Sequence, residues 1–575
     1  MTAIRRIFDF PYYQLETYNL NKAFTTKYNG EWQSISTQEY IDKANAISRG
    51  LLKLGVQPND KIAVISTTNR TEWNVCDIGI LQVGAQNVPI YPTISKEDYE
   101  YILNHSEATY CFVSDKEIIE KLNAIKGNTK LKGVFTFDDM KSEKSWKEVL
   151  ELGKDISNQD VVDDRKNNVK PDDLATLIYT SGTTGKPKGV QHNSAGYILW
   201  AQMTMEWVFD VKENDTYWCT ADVGWITGHT YIVYGPLAMG ATTVMFEGVI
   251  TYPDAGRPWA MVENHRINQF YTAPTAIRVL HKMGEDEPKN YDLSSLKVLG
   301  TVGEPIDPPA WKWYYEEVGQ SKCAIVDTYW QTETGGQVIA PLPGATPIKP
   351  ACATLPLPGI MAEIIDEKGN TPELGEKGVL CITRPWPAMI RGVWGDEDRF
   401  VKAYFGDVKK DGKPVYFTGD GAVYDKDGYI TITGRTDDVI NVSGHRMGTA
   451  EVENAINEHP VVNESAVVGY PHPIKGQGIY AFVVCGELSE GGEAGIKNSI
   501  MKGVTKIIGP FAKPDLIQLV PDLPKTRSGK IMRRILRCIA EGYCNDLGDI
   551  STLLDTSIVE KIIKGALVEQ EEDRK

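Results

Sequence analysis

Thr180-Ser181-Gly182-Thr183-Thr184-Gly185-Lys186-Pro187-Lys188-Gly189 follows directly on Leu174-Ala175-Thr176-Leu177-Ile178-Tyr179, a largely apolar run that reads as a buried strand. Three glycines, four hydroxyls and two lysines crowd into those ten residues. Glycine lets backbone N–H groups approach an anion closely, hydroxyls donate hydrogen bonds, and lysines add positive charge. The composition is that of a polyphosphate cradle. Counting on from Gly182, no Gly-Lys pair falls at the spacing G-x-x-x-x-G-K-[ST], so the P-loop pattern is absent. Taken alone, such a Gly/Thr stretch also reads as a surface turn.

Upstream, Asn29-Gly30 reads as a hairpin turn. Ser36 with Glu39 forms a capping box, opening a helix through Tyr40, Ala44, Ile47 and Leu51 that ends at Gly55. Residues 61–66, 111–113 and 133–135 read as strands, so strand and helix alternate, the signature of parallel sheets covered by helices. Residues 141–170, rich in Lys, Asp, Glu and Asn, read as a surface connection into the strand before the loop. Residues 241–246 and 297–300 continue the strand pattern, and from Gly375 the texture turns β-like, as at 378–383 and 429–433. A boundary is expected at Asp437-Asp438, then a small α/β unit to about Lys530. The tail 569–575 reads as polar and frayed.

The 575 residues suggest roughly four compact units. Apolar content of 42% and charged content of 24% are ordinary for a globular protein. No apolar stretch reaches about 18 residues, so no membrane span is expected. Arg5 and Arg6 are followed by Asp9 and polar residues rather than by the apolar core of a signal peptide. Nine scattered cysteines without a C-x-x-C pair fit a reducing cytoplasm, and eight histidines lack H-E-x-x-H spacing. A net charge of −16 argues against nucleic acid as a partner. A local positive loop in a negative chain suits a small anionic ligand.

Five separated blocks resemble the acyl-adenylate-forming superfamily, which includes acyl- and aryl-CoA synthetases, firefly luciferase and peptide-synthetase adenylation domains. They are residues 180–189, Tyr329-Trp330-Gln331-Thr332-Glu333-Thr334-Gly335-Gly336, Phe417-Thr418-Gly419-Asp420-Gly421, Gly434-Arg435-Thr436-Asp437-Asp438 and Pro524-Lys525-Thr526-Arg527-Ser528-Gly529-Lys530. From about Lys186 the chain is similar to acetyl-CoA synthetases, as at 218–225, 271–278, Val442-Ser443-Gly444-His445-Arg446 and 530–534. The front, at Asp77–Pro92, looks instead like a long-chain acyl-CoA synthetase. The expectation is a hybrid joined near the loop; a divergent natural branch is the alternative. The resemblance implies an α/β fold: a large N-terminal domain, 1–436, of layered sheets and helices plus a β-rich subdomain, and a small mobile C-terminal α+β domain, 437–575, hinged at Asp437.

It further implies an ATP-dependent acetate:CoA ligase with ATP, CoA and Mg²⁺. A carboxylate attacks the α-phosphate, then the CoA thiol attacks the acyl carbon. The first half brings two anions together and needs positive charge and in-line positioning. The resemblance assigns Thr180, Ser181, Gly182, Thr183, Thr184, Gly185 and Lys186 to the phosphates. Thr184 and Glu333 would hold Mg²⁺, whose preference is for hard oxygen donors. Gly303, Glu304, Pro305, Asp327 and Thr328 would frame adenine and α-phosphate, with Tyr329, Trp330, Gln331 and Thr332 beside them. Asp420 would accept from the ribose hydroxyls with Arg435 alongside, and Arg446 would reach the phosphates. The resemblance makes Lys530 the expected catalytic lysine of adenylation and the expected target of a lysine acetyltransferase and deacetylase. Asn457, His459 and Val462 match a peripheral magnesium site.

Trp330, with Ile226, Thr227 and Val302, would wall the acyl pocket and select acetate, with propionyl-CoA or longer-chain synthesis as the alternative. Thr227, Ser443, Gly444 and Lys506 would meet CoA. Thr505 stands where acetate enzymes carry an arginine, and their front arginines are absent too, so Lys506, Lys116 or Lys121 would have to serve the 3′-phosphate as point charges. Weak CoA binding is therefore expected. A nucleotide-binding hybrid with little thioester-forming activity is a further alternative.

Overall fold

A computed structural model describes residues 3–180, 187–366, 368–406, 408–436, 438–442, 445–473, 475–486, 492–525, 531–543, 547, 550, 553 and 555–573, without the side chains of 439, 441, 445, 446 and 567–573. Two seven-stranded sheets form its larger part. One runs Ala324–Asp327, Val298–Thr301, Gln269–Thr272, Thr216–Cys219, Thr242–Met245, Phe24–Tyr28, Glu31–Ile35, all parallel up to the final hairpin. The other runs Gly392–Val393, Lys188–Asn193, Leu174–Thr180, Gln86–Ile90, Lys61–Ile65, Ala108–Val113, Gly133–Thr136, antiparallel only at its first two pairings. The main core takes residues from both sheets, among them Val64, Ile178, Tyr217 and Tyr271. Between them lies the helix Thr71–Gln82, every residue of which is buried. Its buried acids are partnered, Glu72 by Arg70 and Asp77 by Asn87 and Tyr234, as a helix without a solvent face requires.

Local signals hold where they are strongest. Asn29 and Gly30 take φ of 51° and 87°, the left-handed pair that closes a two-residue hairpin. Ser36 Oγ accepts from Glu39 N at 3.2 Å while Glu39 Oε2 accepts from Ser36 N at 2.8 Å, opening the helix Thr37–Lys53. Residues 141–170 depart from the expected plain connection. They form the helices Trp146–Leu152 and Gln159–Asn168 around a short 3₁₀ turn. The first is capped by Ser145 and Glu148 and buries Trp146 and Val149, and its polar composition hid that narrow apolar face. It packs so closely on Thr37–Lys53 that a Cβ at Gly50 would meet Val149 O at 2.2 Å.

The expected β-rich part is an antiparallel sheet of Ala362–Ile365, Lys377–Ile382, Tyr416–Tyr424 and Ile430–Arg435. Beyond it, Val439–Val442, His445–Gly448, Val462–His472, Gly476–Cys485 and Leu516–Leu519 make a five-stranded sheet. Its faces alternate with period two. Ala466, Val468, Tyr480 and Phe482 pack against Arg533–Ala540 and Ser557–Asp573, whereas Val467, Ile479, Ala481 and Val483 pack against Thr449–Asn457 and Gly492–Ile507. The expected frayed tail is instead helical through Asp573. Among the described residues no helix is long and apolar enough to cross a membrane.

Candidate active site

Leu174–Thr180 pairs antiparallel with Lys188–Asn193, with Thr180 opposite Lys188, so the decisive loop joins two strands. Residues Ser181, Gly182, Thr183, Thr184, Gly185 and Lys186 lie outside the described set. At the hairpin base, Lys188 Nζ stands 2.9 Å from Glu333 Oε1 and donates to the Tyr404 hydroxyl at 2.5 Å; that hydroxyl donates to Glu333 Oε1 at 2.6 Å. Burial pushes the Glu333 carboxyl upward, but Lys188 and the hydrogen bonds outweigh it, and its pKa falls below the ordinary value. Glu333 sits in the short turn Thr332–Thr334, fixed from behind by His192, whose Nε2 bonds Thr332 O at 2.8 Å. Burial drives His192 down to about 4, so it is neutral at physiological pH and Nε2 carries the proton. Lys188 lay within the quoted loop without a role, and Tyr404 and His192 were missed.

At the other end of the cleft, Asp420 Oδ2 accepts from the Tyr329 hydroxyl and from Gln331 Nε2, both at 2.6 Å. Arg435 Nη1 lies 3.6 Å from Asp420 Oδ1. Burial raises the Asp420 carboxyl, with Arg435 and the two donors opposing. A cleft of about 190 Å³ is lined by Lys188, Gln331, Glu333, Tyr404, Thr418 and Arg435, among others. A larger cavity of about 420 Å³, near residues 57–59 and 164–175, shares none of these groups. Asp327 accepts from Thr301 Oγ1 at 2.8 Å, and burial pushes it up to about 6. Glu304, expected beside the nucleotide, is engaged by Arg278 at 2.6 Å and by Thr275.

Trp330 is half-buried and turned the other way from its neighbours, with Nε1 donating to Tyr271 Oη at 3.2 Å. Ile226 belongs to the main core, against which Val302 and Trp330 pack. Thr227 is half-buried in the turn Ile226–Gly228, which runs into a π-helical turn, His229–Tyr234. Such turns recur at functional sites.

Asp437, Ser443, Gly444 and Lys530 lie outside the described residues, and Arg446 is described only in its backbone. Lys506 is exposed near the end of Gly492–Ile507. The peripheral trio faces separate partners. Asn457 Oδ1 accepts from Ser465, His459 Nε2 meets Ser499 Oγ at 2.9 Å, and the Val462 carbonyl accepts from Lys282 Nζ at 2.6 Å. Among the described residues no cluster of three or more His, Cys, Asp or Glu could hold a metal. Lys282 Nζ with the Val462 carbonyl, and Lys377 with Glu451, cross from the larger part to the C-terminal part and form a charged seam. Close to it, Arg278 with Asp307 at 3.2 Å lies within the larger part, and Lys525 with Glu464 at 2.5 Å and Arg533 with Glu453 at 2.7 Å lie within the C-terminal part.

Residues 14–394 match the AMP-binding enzyme family and residues 451–530 match the AMP-binding enzyme C-terminal domain. The acetyl-coenzyme A synthetase of Wolinella succinogenes is 68% identical over 394 residues, covering 68% of this chain and 60% of the relative. That of Campylobacter jejuni is 61% identical over 427 residues, covering 73% and 65%. The aligned part thus spans under two thirds of these relatives' own length. A crystal structure of an anthranilate CoA ligase with anthranoyl-AMP is similar at a TM-score of 0.81 and 25% identity, over 94% of this chain and 98% of that one. With its layered sheets, its C-terminal α+β part and the family match running through the cleft at Glu333, the chain belongs to the AMP-binding enzymes.

Proposed function

We propose that the chain is an acetate:CoA ligase, joining acetate to CoA through an acetyl-adenylate with release of pyrophosphate and then AMP. One observation carries the reading. In the single segment Tyr329–Glu333, Tyr329 and Gln331 reach Asp420, Trp330 between them reaches Tyr271, and Glu333 reaches Lys188. This arrangement supports nucleoside and acyl roles on opposite sides through strand-like alternation of residues 329–331, with the phosphate role of Glu333 set by the turn that follows. Acetyl-coenzyme A synthetases as relatives and a ligase holding an acyl-adenylate as a structural neighbour support the same choice.

In adenylation an acetate oxygen attacks the α-phosphorus and pyrophosphate leaves. Lys188 can transfer its hydrogen bond from Glu333 to a phosphate oxygen, and Lys530 and Arg446 supply further positive charge. Asp420 offers Oδ1 to the ribose, since Oδ2 already takes two donors. Glu333, ionised at neutral pH, is a fitting hard donor for Mg²⁺ together with Thr184, and the bound cation would neutralise phosphate charge. The portions 1–436 and 437–575 then rotate about Asp437, withdrawing Lys530 and bringing Ser443 and Gly444 to the CoA thiol. The sulfur attacks the acyl carbon and AMP leaves. Thr227 and Lys506 would line the CoA path. Acetylation of Lys530 would remove the charge that adenylation needs. The eight described cysteines are free thiols, which fits a reducing, cytoplasmic setting. The hybrid reading of the front rests on its residues alone, since a single AMP-binding enzyme match runs over residues 14–394 with the front included.

ATP–pyrophosphate exchange over a panel of carboxylic acids tests the proposal. Acetate should drive exchange most strongly and propionate less. Nucleotide binding without acid-dependent exchange would overturn it.

A further inference from the structure

Trp330 is held by more than its own packing. Tyr271, on the central strand Gln269–Thr272, is fully buried, and its hydroxyl has three neighbours. Trp330 Nε1 donates to it at 3.2 Å and Gln337 Nε2 at 3.3 Å, and Thr328 Oγ1 lies 2.7 Å away. Thr328 spends its one proton on Thr301 O at 2.7 Å, so Tyr271 must donate to Thr328. A phenol offers one proton and two lone pairs, and all three are used. Burial keeps Tyr271 protonated far above neutral pH.

A directed chain results: Trp330 N–H to Tyr271 O–H to Thr328 O–H to the Thr301 carbonyl. Tyr231 braces the indole, edge-on at 5.1 Å and 86°. Its own hydroxyl is fixed by Gln337 N at 2.8 Å and Thr204 Oγ1 at 2.9 Å. Gly300, on the adjacent strand, leaves room for the Tyr271 ring, since a Cβ there would stand 2.5 Å from Tyr271 Cδ2.

We infer that Tyr271 is a specificity-determining positioning residue, which limits acyl chain length by locking Trp330 across the pocket. The inference rests on the acetate reading above and deepens it. A longer acid must push the indole aside. That breaks the bond to Tyr271 and strands a buried lone pair, a penalty added to the steric one. Packing alone would allow Trp330 to yield; the hydrogen bond makes yielding costly.

Tyr271→Phe deletes one oxygen and keeps the ring. Acetate-dependent exchange should keep its kcat within a few fold, while the propionate-to-acetate ratio of kcat/KM rises by roughly five- to tenfold, chiefly through KM for the longer acid. In a Trp330→Phe background, which has no indole N–H to lock, the same substitution should leave the ratio unmoved. A ratio unchanged by Tyr271→Phe in the wild-type background, or changed equally in both backgrounds, overturns the inference. Should Tyr271→Phe fail to fold, the near-isosteric Thr328→Val removes the next link and must move the ratio the same way; an unchanged ratio is then the refutation. Trp330→Gly separates the two levels. If it too leaves the acid profile unaltered, the acetate-pocket reading has failed; if it alone broadens the profile, only the role of Tyr271 has.

Discussion

Behind Trp330, Tyr271 and Tyr231 are wholly buried and their hydroxyl oxygens are committed to fixed partners. At the seam with the C-terminal part, Lys377 meets Glu451, both of them partly exposed, and Lys282 meets the Val462 carbonyl. The first surface gains its rigidity from the cost of leaving a polar atom unpaired away from water. At the second, water can re-solvate each group when the contact opens, so the same kind of bond is worth little there. The wall proposed to measure the substrate and the seam proposed to part are thus made of different materials.

The largest expected effect lies across the seam. Lys530→Ala should lower adenylation by on the order of a thousandfold while thioester formation from supplied acetyl-adenylate stays within a few fold. Equal loss in both half-reactions would remove the reason for the seam to open. Next comes the wall. Trp330→Gly should reduce acetate kcat/KM by on the order of a hundredfold and shift preference to longer acids. An unchanged chain-length profile in competition assays would refute the assignment.

Lys282→Met probes the seam gently, since it deletes the ammonium that holds the Val462 carbonyl. Differential stabilisation near 1 kcal/mol shifts a two-state balance about fivefold, so the two half-reactions should move in opposite directions by up to that factor. Identical rates for both in the variant would make the contact incidental. The smallest effect concerns the dry interior. Asp77 accepts from Asn87 Nδ2 at 2.6 Å and Tyr234 Oη at 2.9 Å, yet burial raises its carboxyl to about 7, the two hydrogen bonds offsetting only part. Its contribution is complete below the ordinary value of 3.8 and is lost as pH rises through about 7. His192 and His229, buried and neutral, act with the opposite sign on the acid side. Asp77→Asn should therefore flatten the fall in Tm between about pH 4 and 7 relative to wild type; parallel melting curves would contradict this.

What the sequence made legible follows from how local each signal is. Asn29-Gly30 and the Ser36–Glu39 box act within four residues and read correctly. Ser145 and Glu148 carried the same box, yet the charge around them masked a helix with two buried side chains. In the site, Asp420, Glu333 and Trp330 were recognisable from motif blocks. Tyr404 lies 216 positions from Lys188, and Tyr271 lies 59 from Trp330, so no spacing rule connects them. Tyrosine in an apolar strand is ordinarily core, and only the three-dimensional count of donors and lone pairs distinguishes Tyr271.

The alternation through Tyr329, Trp330 and Gln331 has a consequence for retooling. Because the outer two side chains grip Asp420 and the middle one turns to the opposite side, residue 330 can be exchanged with both neighbours still seated. On the acetate:CoA ligase reading proposed above, what is activated and how it is activated would be written on opposite faces of one strand-like segment. A new carboxylic acid would then be admitted there without redesign of the machinery that spends ATP on it.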